Sequence, residues 1–338
     1  MEAVKLEYTP QDFTSDQQVR WCPGCGDYAI INSLHKVMAE MGIPPHEIAV
    51  VSGIGCSSRL PYYVSSYGFH TIHGRGAAVA TGVKVANPAL TVWQVTGDGD
   101  CLAIGGNHFI HSVRRNIDIN VLLFNNQIYG LTKGQFSPTS LKGQVSKSSP
   151  YGTIEEPFRP AELTFGARGT FFGRLLDVDL KNAQQVMLAA AEHKGTSIIE
   201  CLVNCVIFND GAHNWLAEKN TRPDKMVFLE HGKPMIYGVA NDKGLILENG
   251  QLKAVTIGEN GITEADILVH DAQNPNPTLQ WELAMMKGPE MPVALGIIRD
   301  VPAESYNDAM DKQIADIKAK SKIKCFDDLV DSLEQWEI

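Results

Sequence analysis

No stretch of about 18 uncharged apolar residues occurs anywhere in the chain, so a membrane-spanning helix is not expected. Basic residues are in deficit, with 29 Lys and Arg against 39 Asp and Glu and a formal charge of -10. Nucleic-acid and anionic-membrane surfaces both need a basic footprint, so neither partner is expected. The opening "MEAVKLEYTPQDF" lacks the basic lead and apolar core of a signal peptide, which points to a cytoplasmic protein. Internal repeats and low-complexity tracts are also missing. The seven cysteines are an odd number in a reducing compartment, which disfavours a disulfide framework and favours metal or redox use. What is present, 44% apolar and 20% charged residues over 338 positions, suits one large globular core plus an extension.

Residues 1–21 read as a polar lead-in, and from 22 to 214 helical and strand patterns alternate. Helices are predicted at 27–42, 74–88, 108–116 and 181–195, and apolar strands at 48–55, 91–100, 119–126 and 196–205. Continuous apolar strands separated by helices imply an α/β fold, a doubly wound parallel sheet with helices on both faces. Residues 215–338 read as a C-terminal α+β extension, with a hairpin over 244–261 turning on "ENGQ", a strand at 293–301 and a charged helix at 308–322.

Three strand ends finish in glycine, small polar residues or cysteine: "GIGCSSR" (53–59), "GDGDC" (97–101) and "FNNQIYG" (124–130). In a doubly wound sheet such ends line the ligand crevice. Asp98 and Asn126 lie one βαβ step apart, and both offer hard oxygens of the kind Mg2+ takes. Gly97 and Gly99 let the main chain approach a phosphate, whose oxygens would complete the metal's coordination. Either half alone is equally an ordinary turn or strand cap. Together, at this spacing, they are the fingerprint of thiamine diphosphate.

Cys22 and Cys25, in "WCPGCGDYAI", form a Cys-x-x-Cys that needs two further soft ligands to close a four-sulfur site. Cys56, at a strand end facing the same crevice, and Cys205, just past another strand, complete the expected set. Cys101, Cys201 and Cys325 read as structural thiols. Zinc would accept the same four sulfurs, so sulfur counting leaves the metal open. The scattered third and fourth ligands are unlike the two close pairs usual for structural zinc.

In order along the chain, "WCPGCGDYAI", "GIGCSSR", "HGRGAAVATGVK", "GDGD", "NNQIYGLTKGQFSPT" and the "NC" at 204–205 resemble the β subunit of the 2-oxoacid:ferredoxin oxidoreductases over residues 20 to 300. That resemblance implies one 4Fe-4S cluster on Cys22, Cys25, Cys56 and Cys205, beside thiamine diphosphate. It implies Mg2+ on Asp98, the Asn126 side chain and the Ile128 carbonyl. It places Ile54, Gly55, Cys56, Ser57, His73, Gly97, Gly99, Asp100, Gly130 and Leu131 against the cofactor. The implied reaction is oxidative decarboxylation of a 2-oxoacid, with electrons passed to ferredoxin and the acyl group to coenzyme A, reversible toward CO2 fixation. Thiamine enzymes activate the cofactor with a glutamate, and none stands near these motifs. In the family it comes from an α subunit, so an αβ unit or a dimer of it is expected. Lys133 in "LTKGQ" is expected to reach the pocket and favour the distal carboxylate of 2-oxoglutarate, with Arg59 as a second cation and Leu131 as apolar wall. Two other readings remain open on the residues. One is a cluster-free thiamine diphosphate decarboxylase or synthase with a structural zinc ion on the four cysteines. The other is a scaffold without catalysis, against which the Asp98/Asn126 pair speaks.

Overall fold

The apolar runs become strands whose side chains alternate between two cores. The computed structural model describes residues 7–288 and 290–332. In chain order the strands are β1 (Ile48–Ser52), β2 (Tyr67–His70), β3 (Thr91–Gly97), β4 (Asn120–Asn125), β5 (Phe171–Leu176), β6 (Ser197–Leu202), β7 (Met226–Leu229), β8 (Ile236–Tyr237), β9 (Lys243–Glu248), β10 (Gln251–Thr256) and β11 (Val293–Asp300). The main sheet has the order β2-β1-β3-β4-β6-β5-β11-β7. Every neighbouring pair in it is parallel except β11 against β5.

Helices α1 (Asp27–Met41), α2 (Gly76–Ala86), α3 (Gly106–Arg115), α4 (Pro160–Gly166) and α5 (Leu180–Glu192) cover the two faces. On one face Ala49, Val51, Val121 and Leu123 pack with Ala80 of α2 and Phe109 of α3. On the other Ile48, Val50, Leu122 and Phe124 pack with Leu34 of α1 and Val186 of α5. Successive strand residues thus fall in opposite cores, as the two-residue period of a strand requires. The doubly wound α/β fold expected from the sequence is present. Fully burying each Leu, Ile or Phe contributes roughly 1.5–3 kcal/mol, and this frame leaves the strand ends free to be open and glycine-rich.

Helix and turn punctuation follows local chemistry. Gly42 ends α1 in the left-handed conformation, φ 66°, and Asn116 ends α3 at φ 53°. Asn249 and Gly250 join β9 to β10 with φ of 53° and 80°, the paired positive values a two-residue hairpin loop needs. The charged helix spans Tyr306–Lys320 and is capped by Ser305, whose hydroxyl oxygen accepts the Asp308 N–H at 3.1 Å.

Strands β2, β5 and β7 of the main sheet are not among those expected from the sequence. Strand β5 lies between β6 and β11, but Gly173 and Arg174 interrupt its run. A Cβ on Gly173 would stand 2.6 Å from Val186 Cγ1, and Arg174 is buried by pairing with Glu200 on β6 at 2.7 Å. Strand β2 is an edge strand with every residue exposed. Beyond residue 215 the chain does two things: β7 and β11 extend the main sheet, while β8, β9 and β10 form a separate antiparallel sheet.

Candidate active site

The carboxyl ends of β1, β3 and β4 open into one cavity. Ile54 to Ser57, His73, Gly97 to Asp100, Asn126, Ile128, Gly130 and Leu131 all line it. Asp98 sits on its floor, 3% exposed. Its Oδ2 accepts hydrogen bonds from Ser137 Oγ and Thr139 Oγ1, both at 2.5 Å. Burial raises the Asp98 carboxyl above the usual range, against the lowering effect of these hydroxyls. Asn126 Oδ1 accepts the Ile128 N–H at 3.1 Å, closing an Asx turn that fixes both groups at the β4 end.

Asp100 lines the same cavity, yet its oxygens are committed to shaping it. Oδ1 accepts from the Ile54 N–H at 3.1 Å, the Gly74 N–H at 2.8 Å and His73 Nδ1 at 2.5 Å, and Oδ2 accepts from Thr96 Oγ1 at 2.8 Å. With Nδ1 engaged, the half-exposed His73 ring keeps Nε2 for another partner. Gly53 exists because of Asp100: a Cβ there would lie 1.8 Å from Asp100 Oδ2. A Cβ on Gly99 would lie 2.2 Å from the Tyr129 ring, whose hydroxyl donates to the Gly99 carbonyl at 3.0 Å. Gly53→Ala is therefore expected to displace Asp100 and destabilise the protein by roughly 1–3 kcal/mol. A melting curve with and without thiamine diphosphate checks this; an unchanged midpoint and unchanged cofactor shift would contradict it.

A second cavity adjoins the first and is lined by Cys22, Cys25, Cys56 and Cys205. Asp27, Cys56, Asn126, Gly130 and Leu131 line both. Cys22 and Cys25 sit in a turn closed by the Cys25 N–H on the Cys22 carbonyl at 3.0 Å, with Gly24 at φ 83°. Gly26 donates its N–H to the Asn204 carbonyl at 3.1 Å, tying this turn to the loop that carries Cys205. A Cβ on Gly26 would stand 2.2 Å from Asp177 Oδ2, the oxygen that accepts the Asn204 N–H at 2.8 Å. Trp21 Nε1 donates to the Cys56 carbonyl at 2.7 Å. A Cβ on Gly130 would come within 3.5 Å of Cys205 Sγ and 3.6 Å of Cys56 Sγ, so Gly130 leaves the two thiols facing one space.

Burial pushes the Cys56 thiol up to about 12, and the nearby Asp27 adds to it. The same two causes, in the same order, push Cys25 up as well. Asp27 is itself raised to about 7, by burial first, and its Oδ2 has no hydrogen-bond partner. Cys101 and Cys201 are raised far above the usual thiol range by complete burial and pack in the cores as inert side chains. Cys325 is exposed at the start of the short helix Phe326–Asp331. Among the described residues, no group of three or more His, Cys, Asp or Glu side chains is arranged to hold a metal ion. The four thiols share a cavity.

Of the expected substrate residues, Leu131 lines both cavities and the outer mouth, while Arg59 lines the mouth and the cysteine cavity. Lys133 departs from expectation. It lines none of these cavities; it is exposed, at the tip of a turn closed by the Tyr129 N–H on the Gln135 carbonyl at 2.9 Å. That turn points position 133 outward, at φ 77°. Sequence reasoning named neither Ser137 and Thr139, the two hydroxyls on Asp98, nor Asp27 between the cavities. The "FSPTS" stretch carried the first signal in its density of hydroxyls; Asp27 looked like an ordinary first-turn helix acid.

Among the described residues no helix is long and apolar enough to cross a membrane. Residues 53–201 match the family model of the thiamine pyrophosphate enzyme, C-terminal TPP binding domain. The chain is 44% identical over 332 residues to the 2-oxoglutarate oxidoreductase subunit KorB of Mycobacterium tuberculosis, covering 97% of this chain and 88% of that protein. It is 45% identical over 185 residues to the 2-oxoglutarate synthase subunit KorB of Methanothermobacter marburgensis, covering 55% and 65%. Its structure resembles that of 2-oxoglutarate:ferredoxin oxidoreductase from Magnetococcus marinus with 2-oxoglutarate, coenzyme A and succinyl-CoA bound, with a TM-score of 0.78, 30% identity and 98% of each chain covered. With 44% identity over 97% of its length to one such subunit and a matching fold over 98% of another, this protein belongs to the β subunits of the 2-oxoacid:ferredoxin oxidoreductases.

Proposed function

We propose that this chain is the cofactor-bearing half of a cytoplasmic enzyme that oxidatively decarboxylates 2-oxoglutarate, delivers two electrons to ferredoxin and forms succinyl-CoA from coenzyme A, reversibly. One observation carries this assignment: the diphosphate cavity and the four-thiol cavity share Cys56, Asn126, Gly130 and Leu131 as a common wall. A structural zinc site has no need to adjoin the cofactor, whereas an electron acceptor does.

The residues suit the groups the family uses. Asp98 and Asn126 would hold Mg2+ with the Ile128 carbonyl, through hard oxygens at adjacent strand ends. Cys22, Cys25, Cys56 and Cys205 would hold one 4Fe-4S cluster. Thiols raised by burial, as Cys25 and Cys56 are, ionise only when a metal's positive charge stands beside them. Thiamine diphosphate, when bound, supplies the carbanion chemistry that cleaves a 2-oxoacid, and the cluster supplies one-electron steps. This chain's part is to anchor the diphosphate at β3, present His73 Nε2 toward it, and wall the reacting end with Leu131.

Among the described residues no glutamate lines the diphosphate cavity, whose carboxylates are Asp27, Asp98 and Asp100. The activating glutamate therefore comes from the α subunit. Tyr62, Tyr67 and Phe69, exposed by 53%, 61% and 44% along and beside the β2 edge, offer an apolar surface next to the mouth for that subunit to cover.

Arg59 would pair with a substrate carboxylate at the mouth. Lys133 keeps a long side chain at a positive φ that glycine or asparagine would adopt at less cost, and strain retained in the turn that follows cavity residues Gly130 and Leu131 supports a use for the side chain. Once the α subunit closes the mouth, Lys133 faces the distal carboxylate. Lys133→Ala is expected to raise KM for 2-oxoglutarate about tenfold, the worth of one exposed charge-assisted contact, ~1.4 kcal/mol, and to leave KM for pyruvate within about twofold. Steady-state ferredoxin reduction by the αβ complex with each 2-oxoacid checks both. Equal changes on the two substrates would remove Lys133 from the specificity assignment, and turnover of neither substrate with ferredoxin would overturn the function.

A further inference from the structure

Behind Asp98 lies a chain of buried polar side chains. Thr139 Oγ1 stands 2.5 Å from Asp98 Oδ2 and 2.9 Å from Asn125 Oδ1. Asn125 Nδ2 donates to Glu200 Oε1 at 2.8 Å. Glu200 Oε2 accepts from Arg174 Nε at 2.7 Å. The guanidinium then donates to the Ala294 and Ala284 carbonyls, each at 3.1 Å. The chain crosses β4, β6, β5 and β11, four adjacent strands, and all its side chains are buried.

Sheet stability does not explain it. A buried ion pair seldom recovers its desolvation cost, and an apolar pair of similar volume would hold β5 on β6 at least as well. Arg174 and Glu200 sit directly opposite each other in register, where the neighbouring residues Gly173, Leu175, Ile199 and Cys201 carry no charge. What the pair does impose is orientation. The Glu200 carboxylate demands the NH2 of Asn125, which turns the Asn125 oxygen toward Thr139. Thr139 has one hydrogen and two acceptors, Asn125 and Asp98, at its two sides. Its single hydrogen is shared between these two oxygens, so the Asn125 amide holds Thr139 against the Asp98 carboxylate, which Ser137 Oγ also contacts.

We propose that Thr139, Asn125, Glu200 and Arg174 are positioning residues for the divalent cation at Asp98, tuning metal affinity without touching metal or cofactor. The proposal rests on Asp98 being a metal ligand. Partners of metal ligands of this kind typically change metal affinity by about 10–100-fold when removed. The αβ complex, stripped of cofactor, is titrated with Mg2+ and separately with Mn2+ at fixed thiamine diphosphate, reading quenching of protein fluorescence; melting midpoint and iron content are measured alongside. Thr139→Val is expected to raise the half-saturating Mg2+ concentration at least about tenfold, Thr139→Ser, which keeps the hydroxyl, to stay within about twofold, and Glu200→Gln to raise it by about threefold or more, all with iron content unchanged. A purely structural role would lower the melting midpoint and leave half-saturation where it was, and that result overturns the proposal. If Glu200→Gln does not fold, the Thr139→Val and Thr139→Ser pair decides alone. Asp98→Asn separates the two levels. If it leaves metal dependence intact, the metal site itself is misassigned. If it abolishes metal dependence while Thr139→Val does not shift it, only the positioning chain fails.

Discussion

Cys205→Ser is expected to empty the αβ complex of its iron while leaving thiamine diphosphate bound. Cys205 lines the four-thiol cavity and not the diphosphate cavity, so its loss should be felt on one side only. A serine hydroxyl is a poor ligand for iron–sulfur clusters, and a cluster held by three cysteines in a half-open site is readily lost. Iron should fall from about four per chain to below about one. Ferredoxin reduction should fall by at least about 100-fold, ~2.7 kcal/mol in barrier terms, while thiamine diphosphate affinity stays within about threefold. Cys201→Ser is the matching control, because Cys201 is fully buried in the core and lines neither cavity. It should cost stability and leave iron in place. Iron retained in the Cys205 variant would remove that residue from the ligand set.

Asp98→Asn should have the largest effect on the cofactor side. Asp100 has both oxygens occupied by Ile54, Gly74, His73 and Thr96, so of the two carboxylates in the β3-end turn Asp98 is the one with an oxygen left to meet a cation. The amide keeps the shape and loses the charge. Thiamine diphosphate affinity in the presence of Mg2+ should weaken by about 100-fold, ~2.7 kcal/mol. The cofactor-free complex should melt no lower. Burial raises the Asp98 carboxyl in the folded state, so the acid favours folding while protonated and that contribution is lost as pH rises through its folded pKa. The amide has no such loss at neutral pH. Calorimetric titration of the cofactor and a melting series from acid to neutral pH check the two halves; affinity within about threefold of the parent would contradict the metal assignment.

Much of the frame was legible because continuous apolar runs of strand length, set between helical patterns, leave few choices. Strands β1, β3, β4 and β6 all announced themselves in this way. Strand β5 did not, because its middle carries a glycine forced by Val186 and an arginine whose burial depends on a glutamate on the next strand. A sequence pattern cannot show that a charge is paired. The exposed edge β2 was silent for the opposite reason, having no buried face to pattern.

That Asp98, Asn126 and Cys56 meet in one crevice was legible because three strands of a parallel sheet end there in glycine, small polar residues or cysteine. Ser137 and Thr139 were hidden, since hydroxyls in a loop serve many ends and only the folded chain shows them on Asp98. Lys133 was read from its neighbours in sequence, yet the turn that presents it outward is closed by backbone hydrogen bonds that side-chain identity does not encode.

The central claim, that Cys22, Cys25, Cys56 and Cys205 make a redox site adjoining the thiamine diphosphate cavity, is tested most directly by metal analysis. Iron, acid-labile sulfide and zinc are measured in the αβ complex purified anaerobically, with an EPR spectrum after dithionite. About four irons and four sulfides per β chain, with the spectrum of a reduced 4Fe-4S cluster, is the predicted result. About one zinc per chain and no iron would contradict it and make this chain a non-redox thiamine enzyme with a structural metal.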